Sequence, residues 1–198
     1  MIIVDVETTG LDPLKHSIIS IGAIDFNNPE NHFYQECRIW EGAEISEEAL
    51  KINGFTREEI TSPDKKSLEE AIKNFLIWIS AIKDQTLAGE NPDFDRNFLK
   101  FTIEFYRFSW PFGHRVIDLH SLSYAHHLSI DKNIPLNNFR SNLSLDETLE
   151  YIGLPRRTFQ HHALTDAKLE AEAFSRIIFG KSLLKEFQSF PVPEYLKK

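Results

Sequence analysis

Ile2-Ile3-Val4-Asp5-Val6-Glu7-Thr8-Thr9-Gly10 stands at the head of the sequence, behind one methionine. Isoleucine and valine fill every position around the two acids, a composition that suits a buried strand. Side chains alternate along a strand, so Asp5 and Glu7 leave it on the same face. Two carboxylates on one face of a buried strand repel each other, and desolvating either is costly. Either that face opens to solvent and the acids are ordinary surface charge, or divalent cations bound through oxygen compensate for them. Thr8-Thr9-Gly10 favours the second reading, because a glycine beside the acids lets a ligand approach the backbone.

Working outward, Ser17 to Phe26 (SIISIGAIDF) reads as a second strand closed by Asn27-Asn28-Pro29, and His32 to Trp40 as a third. Ser46-Glu47-Glu48-Ala49 and Thr56-Arg57-Glu58-Glu59 each set a capping hydroxyl before an acidic first turn. From Ser67 to Ile82, Leu68, Ala71, Ile72, Phe75, Leu76 and Ile79 keep a helical period. Thr86 to Gly89 is a short strand, Asp95 to Arg107 a helix, and Arg115 to Ile117 another short strand. Asp118 caps a helix over Leu119 to Leu128, while Asp131 to Asn142, polar and carrying Pro135, reads as a loop. Leu145 to Ile152 and Ala163 to Phe179 are the last two helices. Strands first, then helices alternating with short strands, predict an α/β fold with a central mixed five-stranded sheet flanked by helices. The domain is expected to span residues 1–180, with 181–198 a poorly ordered or loosely docked tail, or a docking extension.

Three further residues stand out. Asp166 lies near the start of the last helix, where Ala163, Ala167 and Ala171 form a small-residue stripe that lets the helix approach the sheet. Close approach carries Asp166 towards the acids of the first strand, although the helix dipole alone would favour an aspartate there. Asp95 follows Phe94 at a helix start, where N-capping is the simpler reading. His161 lies five residues before Asp166, roughly 140° away on a helix, so it belongs to the segment leading in. A loop histidine with an ordinary pKa near 6.5 suits a general base, and residue chemistry does not choose between His161 and His162. His120, His126 and His127 read as surface or partly buried histidines.

The composition bounds these readings. At 198 residues one domain is expected, and 41% hydrophobic residues with 16 Phe supply a core. The lone Cys37 cannot form an internal disulfide and excludes a cysteine-rich zinc site. With no apolar run near the ~18 residues a span needs and no leader pattern, a cytoplasmic protein with no membrane association is expected. The net charge of −8 argues against a track that grips duplex phosphates by counterion release. It leaves room for an enzyme that holds one strand end through metal ions.

Three motifs in order resemble the DEDD exonucleases, in the His-type (DEDDh, DnaQ-like) branch that includes proofreading subunits of bacterial DNA polymerase III. They are Val4-Asp5-Val6-Glu7-Thr8-Thr9-Gly10, Asn91-Pro92-Asp93-Phe94-Asp95 and His161-His162-Ala163-Leu164-Thr165-Asp166-Ala167. Leu145 to Pro155 (LDETLEYIGLP) also resembles the segment before the third motif, and the likeness runs from Ile2 to Phe179. It assigns the family histidine to His161 and leaves His162 in a variable slot. One departure is Glu90, where the family often has histidine.

The resemblance implies an RNase H-like fold and a metal-dependent 3′–5′ exonuclease with two Mg²⁺ or Mn²⁺ ions. It implies that Asp5, Glu7, Asp95 and Asp166 hold the metals, with His161 as general base, releasing nucleoside 5′-monophosphates. By the same likeness Thr8, Thr9, Gly10, Leu11, Asn91 and Phe94 contact the terminal nucleotide. Single-stranded DNA 3′ ends are the expected substrate, with RNA as the alternative, and a polymerase or repair partner is conceivable. A non-catalytic nucleic-acid-binding module and a metal phosphoesterase acting on a small substrate are the competing readings; oligomeric state stays open.

Overall fold

The computed structural model describes residues 1–198. β1 (Ile2–Thr8) runs through the middle of the sheet, and β2 (Ile18–Asp25) and β3 (His32–Glu36) follow as a meander. Three helices come next, α1 (Glu47–Asn53), α2 (Arg57–Thr61) and α3 (Leu68–Ser80), then β4 (Leu87–Gly89), α4 (Pro92–Phe105), β5 (Val116–Asp118) and α5 (Leu119–Ser129). A two-strand hairpin, β6 (Leu136–Asn137) and β7 (Arg140–Ser141), leads to α6 (Leu145–Tyr151) and α7 (Ala163–Phe179). The main sheet has five strands in the order β3-β2-β1-β4-β5. β2 is antiparallel to β1 and β3, whereas β4 and β5 run parallel to β1, so the sheet is mixed as expected.

Alternation along β1 divides the core. Ile2, Val4 and Val6 pack with Phe75 of α3 and Phe98 of α4 on one face. Ile3 packs with Ala167, Ala171 and Phe174 of α7 on the other. Asp5 and Glu7 continue the Ile3 side, so both acids point to the layer that contains α7. Gly22 makes that approach close. It pairs with Asp5 across the β1–β2 ladder, and a Cβ there would lie 2.1 Å from the Ala163 carbonyl carbon. The N-terminus of α7 therefore rests directly on β2 beside Asp5. We expect Gly22→Ala to push the start of α7 off β2 and to cost roughly 1–3 kcal/mol of stability as an overpacked contact. Urea unfolding checks this, and a wild-type midpoint would contradict it.

Several boundaries differ from the sequence reading. The third strand stops at Glu36 rather than Trp40, because the backbone partners change there: Arg38 N donates to Lys66 O and Ile39 N to Ile60 O, outside the sheet. α4 begins at Pro92, not Asp95. Asn91 caps it at φ 51°, and the proline takes the first helical position, where its missing N–H costs nothing. The expected loop 131–142 contains the β6–β7 hairpin. His127 is buried, bonded through Nδ1 to Ser123 O at 2.8 Å and stacked on Tyr151 with ring centroids 3.8 Å apart. It is therefore not the surface or half-buried histidine that its polar helix suggested.

The tail is firmly docked. Leu184 and Leu196 are buried in the α7 cluster, and Tyr195 OH donates to Tyr151 O at 2.5 Å. Arg176, fully buried in α7, pairs with Glu172 at 2.6 Å and donates to the carbonyls of Ile152, Phe187 and Phe190. The second Glu172 oxygen accepts from the Leu183 and Leu184 amides. Prolines in the sequence suggested a loose segment, but a buried ion pair bonded to the backbone of Leu183, Leu184, Phe187 and Phe190 requires a fixed one.

Candidate active site

At the end of β1, Asp5, Glu7, Asp95, His161 and Asp166 come together from three elements and one loop. Glu7, His161 and Asp166 each present a ligand atom within 4.8 Å of the others. Asp95, in the first turn of α4, accepts from Val6 N at 2.8 Å, which inserts it between the two acids of β1. That bond explains the placement of Asp95 better than capping, since the N-cap position belongs to Asn91. His161 lies in the segment before α7, as its spacing required, with Nδ1 3.8 Å from Asp166 Oδ2. His162 instead caps α7, accepting from Thr165 N at 3.4 Å, and stacks on Tyr34 of β3. Its role is to seat the helix.

Burial works against so much negative charge. Asp166 is fully buried, and Asp95 and Glu7 are nearly so. Desolvation, then Asp95 and Glu7, hold the Asp5 carboxyl well above the usual carboxylate range. Glu7 is pushed up to about 8 by burial and by the Asp166 charge. Asp95 rises by burial to about 7 despite the Val6 N–H bond. Burial, and then the Arg157 guanidinium, lower the His161 pKa, which favours the neutral ring. Asp5 Oδ2, Glu7 Oε1 and Asp166 Oδ1 are sealed from solvent and have no hydrogen-bond donor. Buried acceptors left without donors are rare in folded proteins. Hard, oxygen-seeking divalent cations supply what these oxygens lack, so the donor set fits them.

A cleft of about 550 Å³ opens over this cluster. Its floor is Asp5, Glu7 and Asp95; its walls include Thr8, Gly10 and Leu11 on one side and Glu90, Asn91 and Phe94 on another. Leu11 is largely exposed (83%), an apolar side chain standing free at the rim. Thr9, expected to touch the nucleotide, does not line the cleft. Its hydroxyl donates to Glu44 O and accepts from Ser17 N, and its amide donates to Ser17 O, so it braces the turn.

Four contributors were not singled out in the sequence. Arg157 bridges Asp146 at 2.9 Å and Asp166 at 3.0 Å; the paired arginines before His161 were the available signal. Glu170, one turn beyond Asp166 in α7, is buried with one oxygen unpartnered, and burial raises its carboxyl well above the usual range. The last turn of α1 supplies two anchors: Ile52 O accepts from His161 N at 3.0 Å, and Asn53 Nδ2 donates to Thr8 O at 3.1 Å. Nothing in the α1 sequence announces these long-range bonds. Glu90, noted for its departure, lines the cleft, and burial raises its carboxyl to about 8.

Sheet order, the α7 approach and the carboxylate cluster together define an RNase H-like nuclease fold. The family model described as exonuclease, RNase_T, matches residues 2–174, and the chain belongs to the DnaQ-like 3′–5′ exonuclease family. It is 32% identical over 179 residues to the PolC-type DNA polymerase III of Thermotoga maritima, covering 89% of this chain and 12% of that protein. The chain thus spans a small part of the polymerases it resembles. It is 28% identical over 182 residues to the 3′–5′ DNA exonuclease Cap18 of Escherichia coli, covering 88% of this chain and 89% of the relative. The nuclease domain of 3′hExo, a DEDDh family member solved with rAMP, superposes with a TM-score of 0.67 at 19% identity, covering 98% of this chain and 95% of that one.

Proposed function

We propose that the chain is a metal-dependent 3′–5′ exonuclease that removes nucleoside 5′-monophosphates from single-stranded DNA. The observation that carries this is the set of unpartnered buried oxygens on Asp5, Glu7 and Asp166, with Glu7 and Asp166 converging on His161 where Asp5, Glu7 and His161 line an open cleft. Asp5, Glu7, Asp95 and Asp166 would hold two divalent ions, Mg²⁺ or Mn²⁺. Such ions, when bound, offset charge on the phosphodiester and on the departing oxygen. His161 turns Nδ1 to Asp166, which leaves Nε2 to take the proton of the attacking water. Water adds to the terminal phosphorus, the bond to the upstream 3′ oxygen breaks, and a 5′-monophosphate leaves behind a new 3′ hydroxyl. Gly10 and Thr8 bring backbone close to the terminal sugar, Leu11 and Phe94 flank its base, and Asn91 closes the groove.

DNA is favoured over RNA because Cap18, matched along most of its length, is named a DNA exonuclease. Resemblance to the polymerase proteins supports work beside a polymerase or in repair, in the cytoplasm. No helix is long and apolar enough to cross a membrane.

Matched DNA and RNA oligonucleotides labelled at either end provide the test. With Mg²⁺ or Mn²⁺, a 3′ label is expected to appear at once as mononucleotide, whereas a 5′ label passes through a descending ladder. Endonucleolytic fragments, or no cleavage under either metal, would sink the proposal. Equal or faster loss of RNA would overturn the DNA assignment.

A further inference from the structure

The β6–β7 hairpin carries a feature that folding does not explain. Asn138 and Phe139 form its tip with φ of 48° and 63°. Two successive left-handed residues make the tight hairpin turn that Asn-Gly fills best. Asparagine suits the first position, but a bulky aromatic in the glycine position is strained. Phe139 is fully exposed (100%), so no burial offsets that strain. Backbone strain of this kind concentrates at functional positions.

The β7 leg of the hairpin leads back to the cleft by two routes. Across to α5, Ser141 Oγ meets His120 Nε2 at 3.0 Å. His120 sits in the first turn of α5, whose cap Asp118 accepts from Asn91 N at 3.3 Å, and Asn91 lines the cleft. On the downstream side, Asp146 of α6 holds Arg157, which holds Asp166. Phe139 is two residues from Ser141, a reach of up to about 7 Å. The ring therefore stands outside the cleft on the β5 side. Its neighbours Asn137, Asn138 and Arg140 are polar and exposed, and Leu136 of β6, paired with Ser141, is the hairpin's other exposed apolar side chain. Two separate apolar side chains make a small protein-docking patch, whereas an exposed ring followed by an arginine suits a base and its phosphate.

Resting on the exonuclease reading, we propose that Phe139 is a stacking platform for a nucleobase of the single strand upstream of the 3′ end, with Arg140 beside its phosphate. On this reading a trimer occupies the cleft alone, and a ten-nucleotide strand also engages the platform.

Binding of fluorescent DNA trimers and ten-mers in EDTA, without turnover, tests the platform separately from catalysis. Phe139→Ala is expected to weaken the ten-mer relative to the trimer by about 5- to 100-fold, the range for losing one base–aromatic stack, and Phe139→Trp to restore it. Since the ring is exposed, the alanine variant folds, and its thermal midpoint should match or exceed that of the wild type. Unchanged ten-mer affinity would overturn the proposal and leave the ring to a protein partner. An equal loss for both lengths would overturn it too, by pointing to a change in the cleft. Should the wild type bind the ten-mer through Phe139 yet release no 3′ mononucleotide, the exonuclease reading fails instead.

Discussion

Replacing Asp5 by Asn is expected to reduce 3′ mononucleotide release at least about a thousandfold, equivalent to ~4 kcal/mol of transition-state stabilisation, a scale typical of lost metal-ion catalysis. The same substitution should raise the thermal midpoint of the metal-free protein. Burial, and then the charges of Asp95, Glu7, Glu170 and Asp166, raise the Asp5 pKa in the fold, so ionising it opposes folding. The sign follows from proton counting. Between the ordinary carboxylate pKa and about 8, where Glu7 titrates, the folded protein binds more protons than the unfolded chain. Stability of the EDTA-treated wild type should therefore fall as pH rises through that window. Asp5→Asn should flatten the slope, and Mg²⁺ or Mn²⁺ should restore the wild type at its upper end. Activity within tenfold of wild type, or a metal-free variant less stable than wild type at pH 8, would remove Asp5 from its place in the site.

The second large effect concerns the far end of α7. Arg176→Ala leaves Glu172 charged and buried without its partner and deprives three tail and loop carbonyls of their donor. A loss of about 3–5 kcal/mol is expected, the usual cost of breaking a buried pair from one side. Replacing both Glu172 and Arg176 by methionine should recover part of it, since the uncompensated charge is then gone. Cutting the chain after Lys181 should resemble the single substitution, because it removes the Leu183 and Leu184 amides that Glu172 accepts from. Denaturant midpoints measure all three. A truncated protein as stable as the full chain would show that residues 182–198 are dispensable.

What could be read in the sequence followed the range of the interaction responsible. Strand β1, the helix caps at Ser46 and Thr56 and the limits of α7 depend on neighbours a few residues apart, and each is where its pattern put it. The shared face of Asp5 and Glu7 follows from a period of two and needed no fold. Asp95 and Asp166 were different: taken singly, a cap or a dipole explained each, and only their ordered occurrence with the β1 motif tied them to a site. Long-range bonds set what was missed. Thr9 faces Glu44 and Ser17, Arg157 faces Asp146 and Asp166, and Arg176 gathers carbonyls from across the tail. A polar residue gives no local sign of a partner far along the chain.

The last turn of α1 deserves a dynamic reading. Ile52 O holds the backbone of His161 while Asn53 Nδ2 holds that of Thr8, so adjacent residues tether the His161 segment and the carboxylate strand. α1 is also a side of the cleft. Any displacement of α1 would pull on both tethers together, so one helical turn couples the wall of the cleft to the spacing between His161 and the end of β1.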